Sequence, residues 1–395
     1  MLEARAARAF GDGLVSVVLT AHLTALGLSA TRIGVVVTCT LLGSAALTLV
    51  IGYRAQAYPR RRVLQAMSLL MVATGFGFAL FTGFWALVVV GLVGTLNPSS
   101  GDVSAFGPTE QAVLPATVPD AQRTAIFARY SLLGTLIAAL GAALAGAPEW
   151  VADRTRIGLV DAFRLTFVLY AVVGVVVLAR YRGLSTGIEL PASSTRTALG
   201  PSKGIVYRLA ALFSLDSFGG GFTITAIVVL WLQQRFDLTL TVAGAIFFWS
   251  GLLSAWSQLL APRLAARIGL IRTMAFTHLP ANVFLVAAAF MPTAALAVGC
   301  LLCRAALSQM DVPARSSYVM AVVTPEERPA AASVTGVPRS LATALPPIAA
   351  GWMLSQTSFG WPLVIGGTLK IIYDLLLLRQ FRHVLPPEEC SRPRK

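Results

Sequence analysis

The run GLSTGIELPASSTRTALGPSKG, from Gly183 to Gly204, is the one long polar connection in an otherwise apolar chain of 395 residues. Gly, Pro and Ser recur in it, the composition of a linker rather than of a packed element. On either side lie apolar stretches of roughly 18–25 residues, the length a helix needs to cross a hydrocarbon core of about 30 Å. Backbone groups in lipid have no water to bond, so such stretches close their hydrogen bonds internally as α-helices. Counting outward from the linker gives six spans on each side. The first six are predicted at 8–28, 32–53, 63–84, 85–115, 122–146 and 160–180. The second six are predicted at 205–233, 240–261, 269–290, 293–323, 328–354 and 359–381. The expected architecture is therefore an all-α membrane protein of 12 transmembrane helices. Its parts are a six-helix bundle over 1–180, a cytoplasmic linker over 181–204 and a second bundle with a short basic tail over 205–395.

Composition agrees with this class. Hydrophobic residues make up 56% of the chain and charged residues 12%, against about 25% charged in soluble domains; the mean hydropathy is +0.75. A net charge of +14 invites a nucleic-acid reading, but the placement of the charge argues for topology instead. With the N-terminus in the cytoplasm, 21 of the 31 Lys and Arg fall on cytoplasmic segments, Arg5, Arg8, Arg60, Arg61 and Arg62 among them. Five fall outside (Arg32, Arg154, Arg156, Arg164, Arg235) and five within spans. That bias puts both termini in the cytoplasm and the protein in a cytoplasmic membrane. The first span is too long for a signal peptide and lacks a small-residue cleavage site, so we expect it to be retained. Cys39, Cys300 and Cys303 sit in spans and Cys390 in the tail, which forms no extracellular disulfide framework.

The two halves match each other weakly. Phe10-Gly11-Asp12-Gly13 falls on Phe218-Gly219-Gly220-Gly221 at an offset of 208. Gly34 falls on Gly244 and Ser44 on Ser254; Asp102-Val103 falls on Asp311-Val312; Arg123 and Gly146 fall on Arg328 and Gly351, both at an offset of 205. Duplicated six-helix halves share one orientation and are related by an axis along the membrane normal, with substrate expected between them near the midplane.

The loop after the second span reads Gly52-Tyr-Arg54-Ala-Gln56-Ala-Tyr-Pro59-Arg60-Arg61, and the loop after the eighth reads Pro262-Arg263-Leu-Ala-Ala266-Arg267-Ile-Gly269. With the six-plus-six layout, these resemble the major facilitator superfamily, whose members carry G-x-L-a-D-r-x-G-r-k between their second and third helices. The likeness covers nearly the whole chain and implies a secondary transporter working by alternating access. Gln56 stands where the family has an acid and Pro59 where it has a second Gly, so other charges must secure the cytoplasmic closure. Gly141-Ala142-Ala-Leu-Ala145-Gly146 keeps the small residues of an antiporter element on the fifth span but not its proline; close helix packing accounts for it equally. Asn97 is nearest to the Arg expected on the fourth span of drug–proton antiporters. The runs GTLNPSSGDVS and SQMDVPARSSYVMAVVTPEER set the chain in a branch of the superfamily, without naming a substrate.

Ionisable groups inside spans are costly and face the bundle interior. Each half has an acid on its first span, an acid on its fourth and an Arg on its fifth: Asp12, Asp102 and Arg129, then Asp216, Asp311 and Arg339. With Glu110, these are the candidates for proton coupling or gating; static pairing is the alternative. Arg304, Ser308, Asp311 and Arg315, spaced 0, +4, +7 and +11 along the tenth span, share one helical face; Arg304 is the candidate anchor for an anionic solute group, with a fixed pair to Asp311 as the alternative. Asn97 and Ser100, in the polar run Asn97–Asp102, mark a helix break expected beside the substrate path. His22 is read as a relay or a hydrogen-bonded packing residue. Trp249 and Trp256 either stack on substrate or meet lipid. Cys300 and Cys303 have the spacing of a soft-metal pair, but packing explains them, and no metal is expected.

No nucleophile–base set, metal-ligand set or G-x-x-x-x-G-K-[ST] phosphate loop is present in the sequence. We therefore expect no enzyme and no cofactor. The expected partners are a small-molecule substrate, the lipid bilayer and protons as coupling ion, with a monomer as the working unit. The reading is proton-coupled efflux. A proton-coupled importer of an anionic metabolite and a non-transporting sensor on the same fold are the alternatives.

Overall fold

A computed structural model describes residues 1–54, 58–99, 106–114, 123–184, 200–324 and 327–384. Seventeen helices occupy them. The N-terminal half holds α1 (Leu2–Ala25), α2 (Ala30–Arg54), α3 (Arg60–Leu80), α4 (Phe84–Val93), α5 (Gly107–Val113), α6 (Arg123–Ala143), α7 (Ala147–Arg154) and α8 (Leu159–Arg182). The C-terminal half holds α9 (Lys203–Gly221), α10 (Thr225–Phe236), α11 (Leu240–Ile268), α12 (Leu270–Phe290), α13 (Ala294–Ser308), α14 (Asp311–Ala321), α15 (Arg328–Ala344), α16 (Pro346–Gln356) and α17 (Trp361–Phe381). Among the described residues nine stretches are long and apolar enough to cross a membrane. The other three predicted spans are α1, α4 with α5, and α15 with α16, which are charged or interrupted.

Four predicted spans are each broken in two, and the breaks follow local chemistry. Gly219–Gly221 and Thr223 end α9 before α10 begins. Pro346 opens α16, where its missing N–H costs nothing. The tenth span, expected as one helix over 293–323, stops at Gln309–Met310, and Pro313 sits in the first turn of α14. Arg304 and Ser308 therefore belong to one helix and Asp311 and Arg315 to the next. The expected break near Asn97 is present: α4 stops at Val93, and the Asn97 carboxamide oxygen accepts from the Ser99 N–H at 3.1 Å and the Ser99 hydroxyl at 2.7 Å. Such a turn competes with helix for the same backbone.

The chain forms two compact units. The first comprises Met1–Ser193, Ile224–Leu252 and Pro347–Phe359. At its centre α1 packs on α6, α8 and α10, with Leu14, Val17 and Val18 against Ala142, Ala145, Phe163, Val229 and Leu240. Helices in lipid gain no hydrophobic drive from pairing, so close backbone approach supplies the attraction. Gly13 lies against the Ala138 backbone and Gly141 against that of Phe10. Elsewhere in this unit, a Cβ on Gly34 of α2 would sit 3.1 Å from the Gly351 Cα of α16. The mirrored contact sets Gly244 of α11 on the Ala142 carbonyl of α6, where a Cβ would come within 2.5 Å. Two polar links join the same seam: Thr31 Oγ1 donates to Ser355 Oγ at 3.0 Å, and the Leu240 N–H donates to the Glu149 carboxylate at 3.1 Å.

The second unit comprises Ser194–Thr223, Leu253–Pro346 and Gly360–Lys395. Here α9 packs on α15 and α17, and α12 on α13, α14 and α17, around Val206, Phe213, Met274, Tyr318, Leu377 and Phe381. Gly221 meets the Thr343 carbonyl, repeating within this unit the Gly13–Ala138 contact of the other. Ahead of α15, Glu327 accepts from the Ser202 hydroxyl, the Gly200 N–H and Thr324 Oγ1 just before α9 starts.

Candidate functional site

The second unit holds a buried charge network built from three i,i+4 pairs, the spacing that puts both side chains on one helical face. Lys370 and Asp374 come from α17, His278 and Asn282 from α12, and Asp311 and Arg315 from α14. Asp216 of α9 lies at the centre. Lys370 Nζ donates to its Oδ1 at 2.7 Å, and Arg315 Nη2 donates to its Oδ2 at 2.9 Å while also pairing with Asp311. His278 Nδ1 donates to Asp374 Oδ1 at 2.9 Å, and Asn282 Nδ2 donates to Asp374 Oδ2 at 3.0 Å. The other imidazole nitrogen, Nε2, faces Asp216 Oδ1 at 3.8 Å. One ring thus stands between two carboxylates.

Two more cations approach from the remaining elements. Arg339 Nε of α15 donates to Ser217 Oγ at 3.2 Å. Arg304 of α13 lies within electrostatic reach of Asp216, yet makes no ion pair or hydrogen bond among the described residues, and its Nε is sequestered without a partner.

The first unit has a different cluster. Glu110, completely buried on the short α5, accepts from Tyr130 of α6 and Tyr181 of α8, both at 2.5 Å, and pairs with Arg8 of α1. The Arg8 guanidinium also lies over the Phe106 ring, 4.1 Å from its centroid. Every oxygen of the carboxylate is held, and four elements are tied at one point.

The sequence-derived candidates fall as follows. Asp216, Asp311 and Arg304 meet in or beside the network, with Arg339 one residue along α9 at Ser217. Glu110 is in the tyrosine–arginine cluster. Arg8, counted with the cytoplasmic cations, is instead 2% exposed inside the bundle. Asp12 receives the Tyr170 hydroxyl at 3.4 Å. Arg129 lies on an exposed face of α6 and pairs with no acid among the described residues, so the expected Asp12–Arg129 set does not assemble there. Asp102 and Ser100, like Gln56, lie outside the described residues.

His22 Nε2 donates to the Phe78 carbonyl at 3.2 Å and packs on Phe163 and Phe167, the geometry of a packing histidine. Asn97 builds the turn beyond α4. The Pro98 carbonyl there accepts from the Ala226 N–H at 3.3 Å, so the break after α4 docks on the start of α10. Ser308 is half-buried at the end of α13, and Trp249 and Trp256 are exposed. Among the described residues no group of His, Cys, Asp and Glu is placed to hold a metal.

His278, Asn282, Lys370 and Asp374 were not singled out from the sequence, although the i,i+4 rule that pairs Asp311 with Arg315 finds both pairs.

Two halves of broken apolar helices around buried charge define a polytopic transporter of the alternating-access fold. The chain belongs to the Major Facilitator Superfamily, whose family model matches residues 4–199 and 209–394. It is 26% identical over 413 residues to an uncharacterised membrane protein of Saccharomyces cerevisiae, covering 95% of this chain and 91% of that one. Its fold is shared by a D-xylose-proton symporter (TM-score 0.75, 14% identity, 99% and 98% of the two chains). The same holds for an inward-facing, occupied bacterial homologue of the human lysosomal transporter Spinster (TM-score 0.73, 16% identity, 96% of each chain). The nucleoside transporter NupG also matches (TM-score 0.71, 15% identity, 97% and 98%).

Proposed function

We propose that this protein is a proton-coupled secondary transporter of a small solute, set in a cytoplasmic membrane with both termini in the cytoplasm. The observation that carries the coupling is the Asp374–His278–Asp216 arrangement. An imidazole flanked by two carboxylates inside a membrane bundle is a place where a proton can be held and released. Asp216 and Asp311 are clamped by Lys370 and Arg315, so in this reading they fix the site while Asp374 and His278 exchange the proton. The topology rests on the cation distribution of the sequence. Likeness to a proton symporter agrees with the coupling ion.

The direction of transport divides two readings. Export rests on the family resemblance, which leans towards exporters; the small-residue run of α6 adds nothing to it, since Gly141 there packs against α1. Import of an anionic metabolite is favoured by Arg304, a cation near the network with no ion pair or hydrogen bond among the described residues. The test is collapse of an imposed pH gradient in proteoliposomes screened against anions, cations and neutral solutes, with the sign of the proton flux giving the direction. Asp374→Asn is expected to abolish the substrate-dependent proton flux while leaving membrane insertion intact. Full flux in that variant would remove Asp374 from the mechanism.

A further inference from the structure

We infer that a groove between α1, α7 and α8 holds one acyl chain of a membrane phospholipid, and that Arg154 and Arg156 take its phosphate.

The groove lies wholly within the first unit. Leu14 of α1, Ala147 and Val151 of α7, and Leu165 and Leu169 of α8 line it. Its volume is about 190 Å³, below the roughly 300–1,000 Å³ of sites that enclose a drug-sized solute. Thr166 is the one polar side chain in the lining, and its hydroxyl already donates to the Ala162 carbonyl at 3.4 Å. The remaining surface asks only for hydrocarbon. Leu144, Leu165 and Leu169 are exposed, so the groove opens sideways, where a membrane-spanning bundle meets lipid.

Its depth matches one leaflet. The lining runs down α8 as far as Leu169, roughly 15 Å from the helix start at Leu159. That is half of a hydrocarbon core of about 30 Å.

The lipid head falls at α7. Trp150 is exposed there, as suits an aromatic residue at headgroup level, and the Arg154 guanidinium lies over its ring, 4.5 Å from the centroid. Arg154 follows Val151 by three positions, on the same helical face. Of the five cations that the sequence places outside, three (Arg154, Arg156 and Arg164) lie on this stretch. Asp161 holds Arg164 at 2.8 Å, whereas Arg154 and Arg156 pair with no carboxylate among the described residues. Glu149 is occupied by the Leu240 N–H, which leaves the exposed Asp153 as the acid nearest them in the chain. The balance is positive, and a guanidinium fork suits phosphate oxygens. Glu149 lies on the side of α7 away from Val151, so a filled groove also backs α7 against the start of α11.

The test uses the full-length protein stripped of lipid in detergent. Native mass spectrometry counts retained lipids, and thermal unfolding reads stabilisation. The probes are palmitoyl-oleoyl phosphatidylglycerol, dioleoylglycerol as tails without phosphate, and glycerol 3-phosphate as phosphate without tails. We expect one phosphatidylglycerol to be retained and to raise the unfolding temperature. Dioleoylglycerol should bind about tenfold more weakly, the worth of a charge-assisted contact, and glycerol 3-phosphate should have no effect. Arg154→Gln with Arg156→Gln should weaken phosphatidylglycerol by a similar factor. Ala147→Phe fills the groove from an exposed position and should lose the retained lipid, while Val89→Phe on the exposed face of α4 should keep it. Equal binding of phosphatidylglycerol and dioleoylglycerol, stabilisation by glycerol 3-phosphate alone, or unchanged retention in either groove variant would each overturn the inference. If Ala147→Phe does not fold, the exposed arginine pair decides the question by itself. No gradient is imposed and no solute added, so either result leaves the coupling reading untouched.

Discussion

At the scale of the residue, the two buried clusters differ in how completely their charges are matched. Glu110 has its acceptor capacity filled by Arg8, Tyr130 and Tyr181, so it reads as a fixed tie. Glu110→Gln keeps the shape but strands the Arg8 guanidinium in the bundle, and breaking a buried pair from one side costs about 3–5 kcal/mol. Thermal unfolding of the purified variant should show a large drop; an unchanged midpoint would mean that Arg8 is not held by this carboxylate. Sequence reading recovered Asp216, Asp311 and Glu110 but not His278, Lys370 or Asp374, and of the pairings only the i,i+4 match of Asp311 with Arg315. Tyr130, Tyr170 and Tyr181 carry no charge signal at neutral pH, and Arg8 sits within a few residues of the N-terminus, where cations are ordinarily solvated. Only packing tells a tyrosine that donates to a carboxylate from one that fills space. The i,i+4 pairs on α12 and α17 were legible, being local; their convergence on Asp216 was not, because it depends on how four helices pack.

At the scale of the element, the predicted spans correspond to the observed helices or helix pairs throughout the described residues, since apolar length is a local property. The breaks were less legible. Asn97-Pro98 announced one through its composition, whereas Gln309-Met310 carries no breaker of its own, and only Pro313 beyond it hints at the discontinuity. The start of α9 shows how an element end is finished from a distance. Hydrogen bonds from the Ser202 hydroxyl and the Gly200 N–H hold the Glu327 carboxyl below its ordinary range, and its negative charge also suits the positive end of a helix. A depressed folded pKa contributes stability that is present in full above the unfolded value and is lost as pH falls through the folded one. Glu327→Gln should therefore lower thermal stability above about pH 5, where a free glutamate is already ionised, and the gap to wild type should close as the pH drops further. Melting curves across that range check the sign; a difference independent of pH would assign the effect to packing.

At the scale of the whole molecule, the internal repeat is physical as well as textual. The 208-residue offset of the first spans and the 205-residue offset of the fifth carry the Gly13–Ala138 contact onto Gly221–Thr343. Likewise, Gly34 with Gly351 and Gly244 with α6 are the same small-residue contact made twice within the first unit. Alternating access requires this seam to part. Thr31→Cys with Ser355→Cys, at positions whose hydroxyls are 3.0 Å apart, should form a disulfide in a background free of other cysteines. Transport should stop on oxidation and return on reduction; transport undiminished by a fully formed crosslink would show that the seam stays closed throughout the cycle. The glycine construction of that seam also bears on its speed. Interlocked side chains must each recover one rotamer when a joint re-forms, an entropic toll on every closing stroke. A glycine has no rotamer to recover, so backbone meeting backbone restores its contact as soon as the helices align, leaving the kinetics of closure to rigid-body motion and the viscosity of the surrounding lipid.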